Sequence, residues 1–107
     1  MLFMGYFKLA KPAGMSNKEF YSIWQKESEA TLAGIEAGII KVAYKVAGKP
    51  EVYGVIEVET ADDLDHAVHS LPIWQLGYSH LLTEFELIPL RPYTHWAEDL
   101  KTLAQEE

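Results

Sequence analysis

Residues 1–10 read MLFMGYFKLA, and the fold turns on how this stretch is laid out. In a strand, successive side chains point to opposite faces. Phe3, Phe7 and Leu9 then share one face, while Leu2, Met4 and Tyr6 share the other. Both faces are apolar, so both need cover. The chain's own helices can cover one face. Another surface has to cover the second.

Working outward, Lys11-Pro12-Ala13-Gly14 punctuates the strand. Ser16 and Glu19 form a capping box, with Met15 and Phe20 at the hydrophobic-staple positions around it. The pattern predicts a helix over about 17–37, with Gly38 taking the left-handed position that ends it. Two strands are expected near 39–47 and 52–59, marked by Val42 and Val46, then Val52, Ile56 and Val58. Gly48-Lys49-Pro50-Glu51 turns between them. Thr60 and Asp63 cap a second, shorter helix with Leu64, Ala67, Val68 and Leu71 on one side, and Pro72 is expected to stop it. Residues 73–79 read as irregular or as a short helical turn, and 80–90 as a last strand. After Arg91-Pro92, Trp96, Leu100 and Leu103 recur at helical spacing in a tail helix.

The order β-α-β-β-α-β plus a tail predicts an α+β, ferredoxin-like sandwich: one antiparallel sheet with both helices on one face. The expected domain is a single unit spanning 1–107. The uncovered sheet face predicts a homodimer, two sheets packed face to face, with the tail 92–107 clasping the partner.

Composition narrows the function classes. A net charge of −7 without a basic stripe argues against a nucleic-acid partner. Basic residues occur mostly singly, which argues against an anionic membrane surface. The chain has no cysteine, which excludes disulfides and thiolate chemistry and agrees with a cytoplasmic setting. The apolar N-terminal run is broken at Lys8 and Lys11, so neither a signal peptide nor a membrane span is expected.

One residue breaks the pattern of the first helix. Among the positions three, four, seven and eight from Glu27 are Phe20, Ile23, Trp24, Ala30, Thr31, Gly34 and Ile35. A carboxylate therefore lies near the middle of the apolar stripe. Loss of water raises a carboxyl pKa towards the range useful for proton transfer. The plainer reading pairs Glu27 with Lys41 or Lys45, or leaves it solvated at the helix rim. Ala30, Ala33 and Gly34 are small, which suits either close packing or a hollow beside Glu27.

Taken in order, MLF (1–3), the Glu27 helix ending at Gly38, AYKVAG (43–48), VIEVET (55–60) with DDL (62–64), SLPIW (70–74) and EFELIPL (84–90) resemble the muconolactone isomerase family. The resemblance runs almost without gaps over 1–74 and resumes after a short insertion around 75–80. It implies a dimeric α+β barrel, commonly built further into rings of dimers. It also implies a double-bond shift in a small unsaturated lactone acid, in which a helix glutamate matching Glu27 moves the proton without metal or organic cofactor. Where the family carries a tyrosine and an asparagine in the hairpin, this chain has Pro50 and Val52, which offer no side-chain donor. The expected substrate contacts are Trp24 and Trp74 as aromatic walls, Lys41 and Lys45 as anion partners, Tyr44 as a hydroxyl donor and His80 at the pocket mouth. Tyr6, Tyr53 and Tyr78 offer hydroxyls too, but packing explains them as well. His66 and His69, three apart among aspartates, read as a solvated helix side rather than a metal site. Two other functions remain open: a cofactor-independent oxygenase or cyclase, by analogy of fold, and a small-ligand binding or assembly module without chemistry.

Overall fold

The structure is a computed structural model and describes residues 1–106. Four strands, β1 (Leu2–Leu9), β2 (Ile40–Lys45), β3 (Glu51–Glu57) and β4 (Leu82–Leu90), make one antiparallel sheet in the order β2-β3-β1-β4. The helices are α1 (Asn17–Glu36), α2 (Ala61–His69), α3 (Pro72–Gln75) and α4 (Tyr93–Leu103). The α+β architecture and the tail helix are as the sequence predicts.

Both capping boxes form on their N-cap side: Ser16 Oγ accepts from the Glu19 N–H and Thr60 Oγ1 from the Asp63 N–H, each at 3.1 Å. Each satisfies a backbone donor left open by the first helical turn. Gly38 takes φ +80° just past α1, where a side chain would be strained. Pro72 does not merely end a helix. The second helix stops at His69, and Pro72 opens α3 at its first position, where a missing N–H costs nothing. The last strand starts later than expected, because Ser79–Leu81 winds into a 3-10 turn and takes His80 out of the sheet.

β1 lies between β3 and β4, and its register settles which residues share a face. Phe3, Gly5 and Phe7 align with Ile56, Gly54 and Val52 of β3 on the helix-covered side. The tightest core is set towards one end of α1 and joins Leu9, Phe20, Ile23, Ile73 and Leu81. Leu81 is fully buried, and Leu81→Ala is expected to cost about 2–5 kcal/mol, read as a lower denaturant midpoint with an unchanged m-value.

The other sheet face is bare. Leu2, Met4 and Tyr6 lie there, aligned with Glu57, Val55 and Tyr53 of β3 and with Leu90, Ile88 and Glu86 of β4. Tyr6 packs on Tyr53 with ring centroids 4.9 Å apart and donates its hydroxyl to Glu51. That bond to a carboxylate pushes the Tyr6 phenol well above its ordinary pKa. α4 has no buried residue and is tied back by an Arg91–Asp99 ion pair at 2.7 Å. The radius of gyration is 17.1 Å, against about 13 Å for a compact chain of this length. The tail helix accounts for that elongation, since it packs on none of the core.

Candidate active site

A hollow of about 500 Å³ lies between α1 and the sheet. Small side chains make it. Ala43 aligns with Gly54, so this row of the helix-covered face carries almost no side-chain bulk where it borders the hollow, and Gly5 continues the row on β1 outside the lining. Ala30 and Gly34 of α1 face this row across the gap. Ala33 is exposed and takes no part. Gly34 is also a close-packing residue, because a Cβ there would come within 2.7 Å of Ile40 Cδ1. Gly5 makes room for the Phe7 ring, which would lie 2.9 Å from a Cβ at that position. Phe7, Trp24, Val52, Leu71 and Trp74 complete a largely apolar wall.

Glu27 lines this hollow. Its Oε1 accepts a short hydrogen bond from the Ile73 N–H. Leu71, at the N-cap of α3, supplies no side-chain cap, so Glu27 satisfies that helix end from across the fold. The sequence left open whether Glu27 pairs with Lys41 or Lys45. Neither pairs with it: Lys41 lies 3.7 Å from Glu57, and Lys45 donates to the Val46 carbonyl at 3.0 Å. Burial pushes the Glu27 carboxyl above the usual carboxylate range, and the Ile73 N–H opposes that shift without cancelling it. Oε2 has no hydrogen-bond partner among the described residues. No buried side-chain oxygen or nitrogen there lacks a partner, so Oε2 keeps access to solvent.

Of the other expected contacts, Trp24, Lys45 and Trp74 line the hollow with Glu27. Lys45 aligns with Val52, which directs its side chain to the helix-covered face. Tyr44 borders the hollow, but its alignment with Tyr53 turns its ring to the bare face, where it is 68% exposed. Lys41 lies beside a bulge in β2 and outside the lining. His80 is also outside it, exposed on the 3-10 turn with its ring 6.2 Å from that of Tyr78. His66 and His69 are exposed on α2, with His69 Nδ1 3.6 Å from Asp65 Oδ2. No cluster of three or more metal-ligating side chains occurs among the described residues. Among the described residues no helix is long and apolar enough to cross a membrane.

Two features escaped the sequence reading. The Ile73 N–H is a backbone group with no residue-type signature. The Ala43–Gly54–Gly5 row depends on register, which no local pattern fixes.

The comparisons agree with this fold. The muconolactone isomerase crystal structure aligns with a TM-score of 0.70 at 20% identity, covering 86% of this chain and 90% of that one. The 5-chloro-2-hydroxyhydroquinone dehydrochlorinase from Burkholderia phenoliruptrix AC1100, in complex with 2,5-dihydroxybenzoquinone, aligns with a TM-score of 0.60 at 20% identity, covering 89% and 98%. At that identity the likeness shows the fold alone. No curated protein sequence matches the chain. The muconolactone delta-isomerase family model matches residues 1–95. An α+β sheet with a carboxylate set into an apolar hollow under its first helix is therefore found in a chain that belongs to the muconolactone delta-isomerase family.

Proposed function

We propose that the chain is a cofactor-free isomerase that moves a proton, and with it a double bond, within a small unsaturated lactone or related enolisable acid. The observation that carries this reading is Glu27: one oxygen is fixed by the Ile73 N–H, the other has no protein partner among the described residues, and the residue lines an apolar hollow. A base so held is oriented before substrate arrives. In this scheme Oε2 takes a proton from a carbon next to a conjugated carbonyl. The electron pair of the broken C–H bond moves through the conjugated system onto the carbonyl oxygen. The same carboxyl then returns the proton to a different carbon, so nothing is oxidised and no group is lost. Lys45 is the one cation in the lining among the described residues and offsets the developing negative charge. Trp24 and Trp74 flank a planar ring and keep water out.

The direct test is proton NMR of candidate butenolide acids in deuterium oxide. The proposal expects a double-bond shift, with deuterium at the carbon that gains hydrogen only to the extent that the Glu27 carboxyl exchanges with solvent before it returns the proton. Unchanged spectra across such acids overturn it. The raised carboxyl also makes a pH prediction. Activity needs ionised Glu27, so kcat/KM is expected to rise through a single ionisation lying above the ordinary carboxylate range.

Assembly follows from the bare sheet face. On it, Tyr44, Tyr53, Ile88 and Leu90 are 68%, 41%, 45% and 38% exposed, a spread of apolar surface that a lone protomer rarely leaves to water. We propose that a second copy covers this face, sheet against sheet, and that α4 packs on that partner through Trp96, Leu100 and Leu103.

A further inference from the structure

A second hollow, of about 540 Å³, opens beside the first and shares Leu9, Trp24 and Lys45 with it. Its charge is opposite to that of the whole protein. The chain carries 16 acidic residues against nine lysines and arginines, yet Lys8, Lys11, Lys45 and Lys49 all line this groove and no acidic residue does. The four lysines are not equally free. Lys8 is 3.8 Å from Glu84, and Lys11 gives one of its three donors to Asn17 Oδ1 at 2.7 Å. Lys45 gives one to the Val46 carbonyl, and Lys49 has no side-chain partner among the described residues. Pro50, also in the lining, contributes no donor of its own. The aromatic side of the groove is formed by Tyr21 and Trp24, stacked with an interplanar angle of 20°.

We propose that this groove is an anion site continuous with the Glu27 hollow: the ligand's planar apolar body lies inside, against Trp24, and its carboxylate lies outside, on Lys11 and Lys49, with Lys45 at the shared edge. Three physical points support the placement. A cleft lined by one sign of charge concentrates counter-ions at its mouth. Glu27 repels a carboxylate from the inner hollow, so an acid enters with its charge facing outward. A protein with net charge −7 repels small anions elsewhere, which makes a local cationic mouth the favoured point of entry. The inference deepens the isomerase reading by assigning the ligand's acid group a place, and it rests on that reading only for what happens after binding.

Calorimetric titration with benzoate, and with benzamide as its uncharged counterpart, tests the site. The wild-type protein is expected to bind benzoate more tightly than benzamide, with the preference shrinking as salt is added. In Lys11→Gln/Lys49→Gln, benzoate affinity is expected to fall about tenfold while benzamide affinity stays put. Lys11 and Lys49 are exposed, so the fold should tolerate the change, and an unchanged circular dichroism spectrum verifies that. In Glu27→Gln, benzoate should bind as tightly or more tightly, because a repelling charge is removed. Equal binding of benzoate and benzamide by the wild type overturns the anion site, as does a double variant with undiminished benzoate affinity. Selective benzoate binding with no isomerisation of any butenolide acid upholds the groove and sinks the isomerase reading alone.

Discussion

Glu27→Gln is expected to slow turnover about 10²–10⁴-fold, the range general-base catalysis contributes, while leaving the fold in place. Glutamine keeps the shape of the side chain and an oxygen that can accept the Ile73 N–H. What it loses is the basic carboxylate that takes the proton, because an amide is far too weak a base. If the variant isomerises the substrate at the wild-type rate, Glu27 is not the base. The same substitution carries a stability prediction of opposite sense. Burial raises the Glu27 carboxyl pKa in the folded chain above its value in the unfolded one. Between those two values the folded state holds more protons, so wild-type stability falls as pH rises through that window. Above the folded value the full cost of a half-buried charge is present. Glutamine never ionises. Wild type and variant should therefore melt close together below the ordinary carboxylate pKa, and the variant should melt higher at neutral pH. A variant that is slower yet more stable marks a residue kept for chemistry at the expense of stability. A variant destabilised at both pH values would instead make Glu27 chiefly the cap that holds α3.

Val55→Asp is expected to break the assembly. Val55 lies near the middle of the bare face, aligned with Met4 on β1 and Val42 on β2. If two sheets meet there, each dimer buries two new carboxylates among apolar side chains. The effective penalty for an unpaired buried charge is several kcal/mol per ion, which weakens the dimer by about 1,000-fold or more. The monomer should still fold, because Val55 faces away from the helices and the core cluster. Sedimentation velocity would show wild type as a dimer or a multiple of it, and Val55→Asp as a monomer at the same concentration. A wild-type monomer at micromolar concentration would remove the argument for two sheets face to face. In that case the exposed tyrosines would need a different partner. The position of α4 adds a second readout. If the tail helix packs on the partner copy, Trp96 fluorescence should shift to the red when the dimer dissociates.

Most of the architecture was legible in the chain because it rests on short-range chemistry. The two capping boxes, the left-handed Gly38 and the alternation in MLFMGYFKL each depend on residues a few positions apart. The departures are local as well. A proline at the first position of a helix reads the same as a proline that ends one, so Pro72, expected as a stop, opens α3, and the short helical turn offered as one reading of 73–79 begins at the proline itself. His80 follows from the same ambiguity, since a 3-10 turn and a strand edge leave similar traces over three residues.

The candidate site divides in the same way. The sequence alone determined that a carboxylate sits on the apolar stripe of the first helix, because helical periodicity is a property of spacing. It also determined that the first strand is apolar on both faces, and so that its sheet needs cover on both. Tertiary structure decided the rest. Register put Gly54 beside Ala43 and so left room for the hollow, while Gly5 gave its space to the Phe7 ring that walls it. A segment 46 residues away turned a backbone N–H towards Glu27, where the sequence had left open a pairing with Lys41 or Lys45, a solvated rim position or an inward carboxylate. The same register sent the Lys45 side chain inward and the Tyr44 ring outward, although the two residues are neighbours in the chain. Such choices belong to strand pairing, in which a slip of one residue moves every side chain to the opposite face, and no local spacing fixes them.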